Sequence, residues 1–114
     1  MATVMKKLEL TSEQKLNRIS QQCDFMLGSD LSFDGDDNIA EIKGSNGCRT
    51  IAVAVKSKSD GNLEVHFIDA WNADGTARWY VMTLIGGAMP DAGMIDYVRS
   101  TNSTVTLTDV EFIL

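Results

Sequence analysis

Two hydrophobic periods run along this chain, and the change from one to the other divides it. Thr11-Ser12-Glu13-Gln14 has the form of a capping box, in which the threonine hydroxyl accepts from the third backbone N–H and Gln14 reaches back. Leu16, Ile19, Cys23, Met26 and Leu27 then recur at helical spacing, with Lys15, Asn17, Arg18, Gln21 and Gln22 on the other side and Gly28 as a stop. The spacing predicts an amphipathic helix over 11–27, whose apolar side must be covered, a sheet being the expected partner.

Beyond residue 38 the pattern is that of strands. Residues 39–43 predict a short strand before the turn Gly44-Ser45-Asn46-Gly47. Residues 50–56 set branched side chains against alanines, and residues 63–71 and 77–85 alternate as half-buried strands do. Ser59-Asp60-Gly61-Asn62 and Asn72-Ala73-Asp74-Gly75 supply turns, so these three strands are expected to form an antiparallel meander. The glycine-rich stretch 86–93 breaks the pattern and leads into 94–99, a predicted short helix with Met94, Ile95 and Val98 on one side. In the last strand, 104–113, the apolar parity changes from Val105 and Leu107 to Val110 and Phe112, which predicts a β-bulge near Thr108-Asp109. The expected fold class is α+β: an N-terminal amphipathic helix on a four- to five-stranded antiparallel sheet, with a short helix or loop before the last strand.

Composition bounds the rest. A chain of 114 residues that is 44% hydrophobic, with one proline and nine glycines, predicts one folded domain over 1–114, with 1–10 as a flexible N-terminal segment. The net charge of −6 repels phosphate backbones and anionic lipid surfaces, so neither nucleic acid nor a membrane is an expected partner; a basic protein is. The two cysteines, Cys23 and Cys48, form no CxxC and the chain has one histidine, too few ligands for a zinc or iron-sulfur site. No cofactor is expected. No apolar run has the length of a membrane span and no leader pattern opens the chain, which predicts a cytoplasmic protein with reduced thiols.

Negative charge is concentrated in Asp30-Leu31-Ser32-Phe33-Asp34-Gly35-Asp36-Asp37-Asn38-Ile39-Ala40-Glu41, which holds five of the sixteen acidic residues. Its spacing resembles the calcium loop of an EF-hand, with oxygen-bearing side chains Asp30, Ser32, Asp34 and Asn38 at positions one, three, five and nine, glycine at six and Glu41 at twelve. The resemblance implies a calcium site formed by Asp30, Ser32, Asp34, Asp36, Asn38 and Glu41. Two features depart from the pattern: Asp37 stands at position eight, where an apolar residue belongs, and Gly44 leaves almost no room for an exit helix. The leading expectation is therefore a non-enzymatic interaction protein, of the inhibitor, immunity-protein or phage-antagonist type. In it Asp30, Asp34, Asp36, Asp37 and Glu41 steer a basic partner and Phe33 anchors it. A solvated loop with Phe33 tied to the core is the plainer alternative. A sheet edge or face also leaves room for a homodimer.

The alternative function is a small-ligand binder or small enzyme with a pocket between helix and sheet, lined by His66, Trp71, Trp79 and Met89. His66, oriented by Glu64 or Asp69, would be its general base, and Cys48 a thiol within reach. The two tryptophans read equally as a cross-strand pair stabilising their hairpin. Residues 86–93 lack the order of a phosphate loop, and Asp91 would repel a phosphate.

Overall fold

The computed structural model describes Met5 and residues 25–33, 38–45, 47–88 and 91–114. These form seven strands: β1 (Phe25–Leu27), β2 (Ile39–Glu41), β3 (Ala52–Ser57), β4 (Gly61–Phe67), β5 (Tyr80–Leu84), β6 (Asp91–Arg99) and β7 (Val110–Ile113). Two single-turn 3-10 helices, Gly28–Asp30 and Leu107–Asp109, complete them. All pairings are antiparallel, in the order β1-β7-β3-β6-β4-β5, with β2 also on β6.

The α+β expectation is overturned: the described residues are mostly antiparallel sheet and contain no helix longer than one 3-10 turn. Residues 11–24 of the predicted N-terminal helix lie outside the described residues. Its last residues, 25–27, are strand β1, paired with β7 from Phe25–Ile113 to Leu27–Glu111. Met26 points into the core while Phe25 and Leu27 face out, the period of two that a strand requires.

The predicted helix over 94–99 is also a strand, and a central one. β6 takes β4 along one edge, and along the other β3 on its first half and β2 on its second. Ile95, Asp96, Tyr97 and Val98 are all buried, so both faces are covered and the alternation that marks a half-buried strand is missing. Two irregularities add to this. The pairing with β3 shifts between Ala52–Ile95 and Ala54–Asp91, around Gly93 at φ 76°, and the pairing with β4 shifts between His66–Tyr97 and Phe67–Ile95.

The meander holds only in its second half. β4 and β5 pair over five residues, but β6 lies between β3 and β4. The parity change near residue 108 is the 3-10 turn Leu107–Asp109 ahead of β7, in place of the expected bulge. Just before it, the chain crosses the end of β4: Thr104 and Val105 donate to Asn62 O at 2.9 and 3.1 Å. Gly61 permits this approach, since a Cβ there would sit 2.5 Å from Val105 Cα. The apolar core gathers Val55, Leu63, Val65, Ile95, Val98 and Phe112 on one side of the sheet.

Candidate functional site

On the opposite face β4 presents Glu64 and His66, and both are buried. In register across β6 stand Arg99 and Tyr97. The shift between His66 and Phe67 gives β6 one extra residue there, Asp96, and its carboxylate meets His66: Asp96 Oδ1 and His66 Nδ1 are 2.6 Å apart, with no exposed side-chain surface on either. The other ring nitrogen, Nε2, lies 2.8 Å from Ala70 O. A carbonyl only accepts, so Nε2 carries a proton. Asp96 Oδ2 faces Arg49 Nη2 at 3.3 Å, so the imidazole and the guanidinium share this one carboxyl group.

Aromatic rings enclose the imidazole. Trp71, Trp79 and Tyr97 stand edge-on to it at centroid distances of 4.7, 5.7 and 6.1 Å. Two guanidiniums lie over these rings, Arg49 at 4.7 Å from the Tyr97 centroid and Arg99 at 4.4 Å from that of Trp79. Arg99 grips Glu64 with both ends, Nε to Oε1 at 2.5 Å and Nη2 to Oε2 at 2.9 Å, and Asn102 Nδ2 donates to Oε2 at 2.8 Å. Ser103 Oγ ties the strands further by accepting from Glu64 N–H and donating to Arg99 O. The hydrogen bonds from Arg99 hold the Glu64 carboxyl below its ordinary range; burial opposes them and Asn102 assists.

His66, Trp71 and Trp79 are thus brought together, while Met89 lies outside the described residues. The orienting carboxylate is not Glu64 or Asp69. Glu64 is taken by Arg99, and Asp69 is exposed. It is Asp96, thirty positions along the chain from His66, whose only sequence signal is a lone carboxylate in the apolar run Met94-Ile95-Asp96-Tyr97-Val98. The two tryptophans do not face each other as cross-strand partners, since Trp71 bridges to Ala77. Cys48 is exposed, and both nitrogens of His66 are engaged elsewhere. Of the 86–93 stretch, residues 91–93 are already β6, and Gly86 and Gly87 form a turn in which Gly86 N–H donates to Asp60 Oδ1 at 2.7 Å.

In the acidic stretch, Asp30, Ser32 and Asn38 are exposed, whereas Asp34, Asp36 and Asp37 lie outside the described residues. Phe33 is half-buried and packs on the core cluster beside Leu31. Glu41, which the EF-hand resemblance needs at the start of an exit helix, is on strand β2 opposite Tyr97. Among the described residues no group of three or more His, Cys, Asp or Glu could hold a metal, and no helix is long and apolar enough to cross a membrane. Comparisons with protein-family models, with curated proteins and with solved structures found no match.

Proposed function

We propose that this chain is a non-enzymatic interaction protein that presents acidic side chains to a basic protein partner. The observation that carries the reading is where its charge is left uncompensated. Among the described residues the ion pairs engage only Glu64 and Asp96, both buried. Asp30, Asp60, Asp69 and Asp74 are exposed and form no ion pair there; the exposed cations Lys43, Lys56, Lys58 and Arg78 form none either, and the half-buried Glu41, Asp109 and Glu111 tip the unpaired charge to negative. The topology gathers some of this charge at one end of the sheet. The turn Gly28–Asp30 packs on Leu107–Asp109, Lys58 N–H bonds to Asp109 O, and Asp60 follows two residues on. The acidic stretch 30–41 begins at this end. A partner steered by such a field associates faster at low salt. His66, sealed and bonded at both nitrogens, gives the reading no enzymatic competitor at that position.

The test is capture from an extract of the native host by the immobilised full chain and by the charge-reversed variant Asp30→Lys/Asp34→Lys/Asp36→Lys/Asp37→Lys. A basic protein retained by the first, released as salt rises and lost by an equally stable variant, is the expected result. Equal retention by both chains overturns the reading.

One observation favours a second reading, a small-ligand site at His66, Trp71 and Trp79: the three rings share one cluster, and both tryptophans keep some exposed surface. A ligand there would contact the indoles and not the imidazole, and a titration that leaves tryptophan fluorescence unchanged counts against it.

A further inference from the structure

We propose that His66 is a proton-operated latch on the hairpin joining β4 to β5, closed while the His66–Asp96 pair holds two protons and opened as rising pH removes one. The latch is separate from the acidic end of the sheet and does not depend on what binds there.

The hairpin spans residues 68–79. Within it Trp71 bridges to Ala77, Arg78 N–H donates to Ala70 O at 2.8 Å, and Asn72 N–H donates to Thr76 O at 2.7 Å. It leans on the sheet through His66: Nε2 lies 2.8 Å from Ala70 O, and the rings of Trp71 and Trp79 stand against the imidazole. Both ring nitrogens thus face oxygens, since Nδ1 lies 2.6 Å from Asp96 Oδ1. An amide carbonyl brings no proton, so Nε2 must donate to Ala70 O; the Nδ1 contact then needs a second proton, on the ring or on the carboxyl. The pair holds two protons whichever atom carries the second. With only one left, a neutral imidazole can satisfy a single acceptor. The carboxylate is the stronger acceptor, so Ala70 O is the contact given up.

Folding therefore takes up a proton in mildly alkaline solution. In an unfolded chain a carboxyl is ionised above about pH 4 and an imidazole is mostly neutral above about pH 6.5, which leaves one proton on the two groups. Between those values the unfolded chain also holds two, and the latch contributes its full stability; above about 6.5 that contribution is lost as pH rises. His66 is the chain's one histidine, so no other imidazole titrates in this range.

The charges around the pair pull in opposite directions. The Arg49 guanidinium, 3.3 Å from the other oxygen of Asp96, favours release of the proton. That contact is the longer one, and the arginine side chain is 20% exposed, so water weakens its pull. The His66–Asp96 contact is shorter and has no exposed side-chain surface, so the bond broken by losing the proton is not replaced by one to water. Of the other groups near the ring, Glu64 on β4 is committed to Arg99, which lies over Trp79, and Tyr97 on β6 meets the imidazole edge-on. Asp69 and Arg78 on the hairpin are exposed.

Asp96→Asn separates the proton from the contacts. An amide in that place donates to Nδ1 and accepts from Arg49, so both bonds of the ring persist with a neutral imidazole. Urea unfolding of the full chain is followed from about pH 5 to about pH 9, together with amide protection at Arg78, whose N–H shares Ala70 O with His66. In the wild type the unfolding constant should rise by up to about tenfold per pH unit above about pH 6.5, and protection at Arg78 should fall with it. Asp96→Asn should instead grow more stable up to about pH 6.5, as its unfolded imidazole loses a proton, and then hold level. The proton count needs no variant: unfolding the wild type near pH 8, in buffers that differ in heat of ionisation, should release about one proton. No release overturns the proposal. So does a wild-type unfolding constant or Arg78 protection that stays level across the range, or an Asp96→Asn chain with the alkaline slope of the wild type.

Discussion

Asp96 Oδ1 lies 2.6 Å from His66 Nδ1, and neither side chain has any surface exposed to solvent. Burial of a carboxylate and an imidazole is tolerable only because each remaining polar atom is also bonded, Nε2 to Ala70 O and Oδ2 to Arg49. Asp96→Ala removes the acceptor shared by His66 and Arg49 and should cost about 3–5 kcal/mol, the usual result of breaking a buried pair from one side. Arg49→Ala, whose bond to Asp96 is longer at 3.3 Å, should cost about 1–2 kcal/mol. Urea denaturation of both variants measures the order, and an Asp96→Ala chain as stable as wild type would mean that the pair contributes nothing to the fold.

Glu64 gives a pH dependence whose sign can be worked out. Its folded-state pKa lies below the unfolded value, chiefly because Arg99 donates to both carboxylate oxygens. Such a group stabilises the fold fully above its unfolded pKa, about 4.3. That stabilisation is lost as pH falls through the lower folded value. Glu64→Gln should be less stable than wild type near neutral pH, by about 1–3 kcal/mol for the lost charge-assisted bonds. The gap should narrow as pH drops below about 4. Urea midpoints at pH 7 and pH 3 decide it: a gap that stays constant would rule out the Arg99–Glu64 pair as its source.

Local signals were legible where turn chemistry or alternation was strong. Asn72 to Gly75 turns the chain from β4 towards β5 as its composition implies, with Gly75 at φ 89°. The strand over 94–99 was not legible, because burial on both faces leaves Ile95, Tyr97 and Val98 without a period, and around Gly93, whose φ is positive, β6 sets two extra residues against β3. The same missing period hides the site. Asp96 on a helix has no reason to meet His66, whereas the extra residue in β6 delivers it to that ring. The expectation that three successive strands pair in turn failed for a related reason: β6 is inserted between β3 and β4, a non-local choice that no turn sequence encodes.

Gly61 separates steric from conformational need. Its φ is not left-handed, so alanine would meet no backbone strain; what it meets is Val105, with Cα at 2.5 Å and Cβ at 2.7 Å from the added methyl. Gly61→Ala should therefore destabilise by about 1–3 kcal/mol through overpacking. It should also loosen the bonds from Thr104 and Val105 to Asn62 O. Faster amide exchange at those two positions is the specific readout, and unchanged exchange would mean that the crossing chain shifts without penalty.

Phe33 decides between two roles that its place among carboxylates leaves open. As a partner's anchor it would be exposed; here it is half-buried against the core cluster, next to Leu31. Removing a partly buried aromatic ring should cost about 1–2 kcal/mol of fold stability, less than a full side chain's worth. Phe33→Ala is accordingly expected to lower the urea midpoint while leaving the affinity of the remaining folded protein for a basic partner within about twofold, since only a residue buried in an interface core carries a large share of binding. The opposite pattern, unchanged stability with affinity lost, would return Phe33 to the partner's side and require the ring to leave the core on binding.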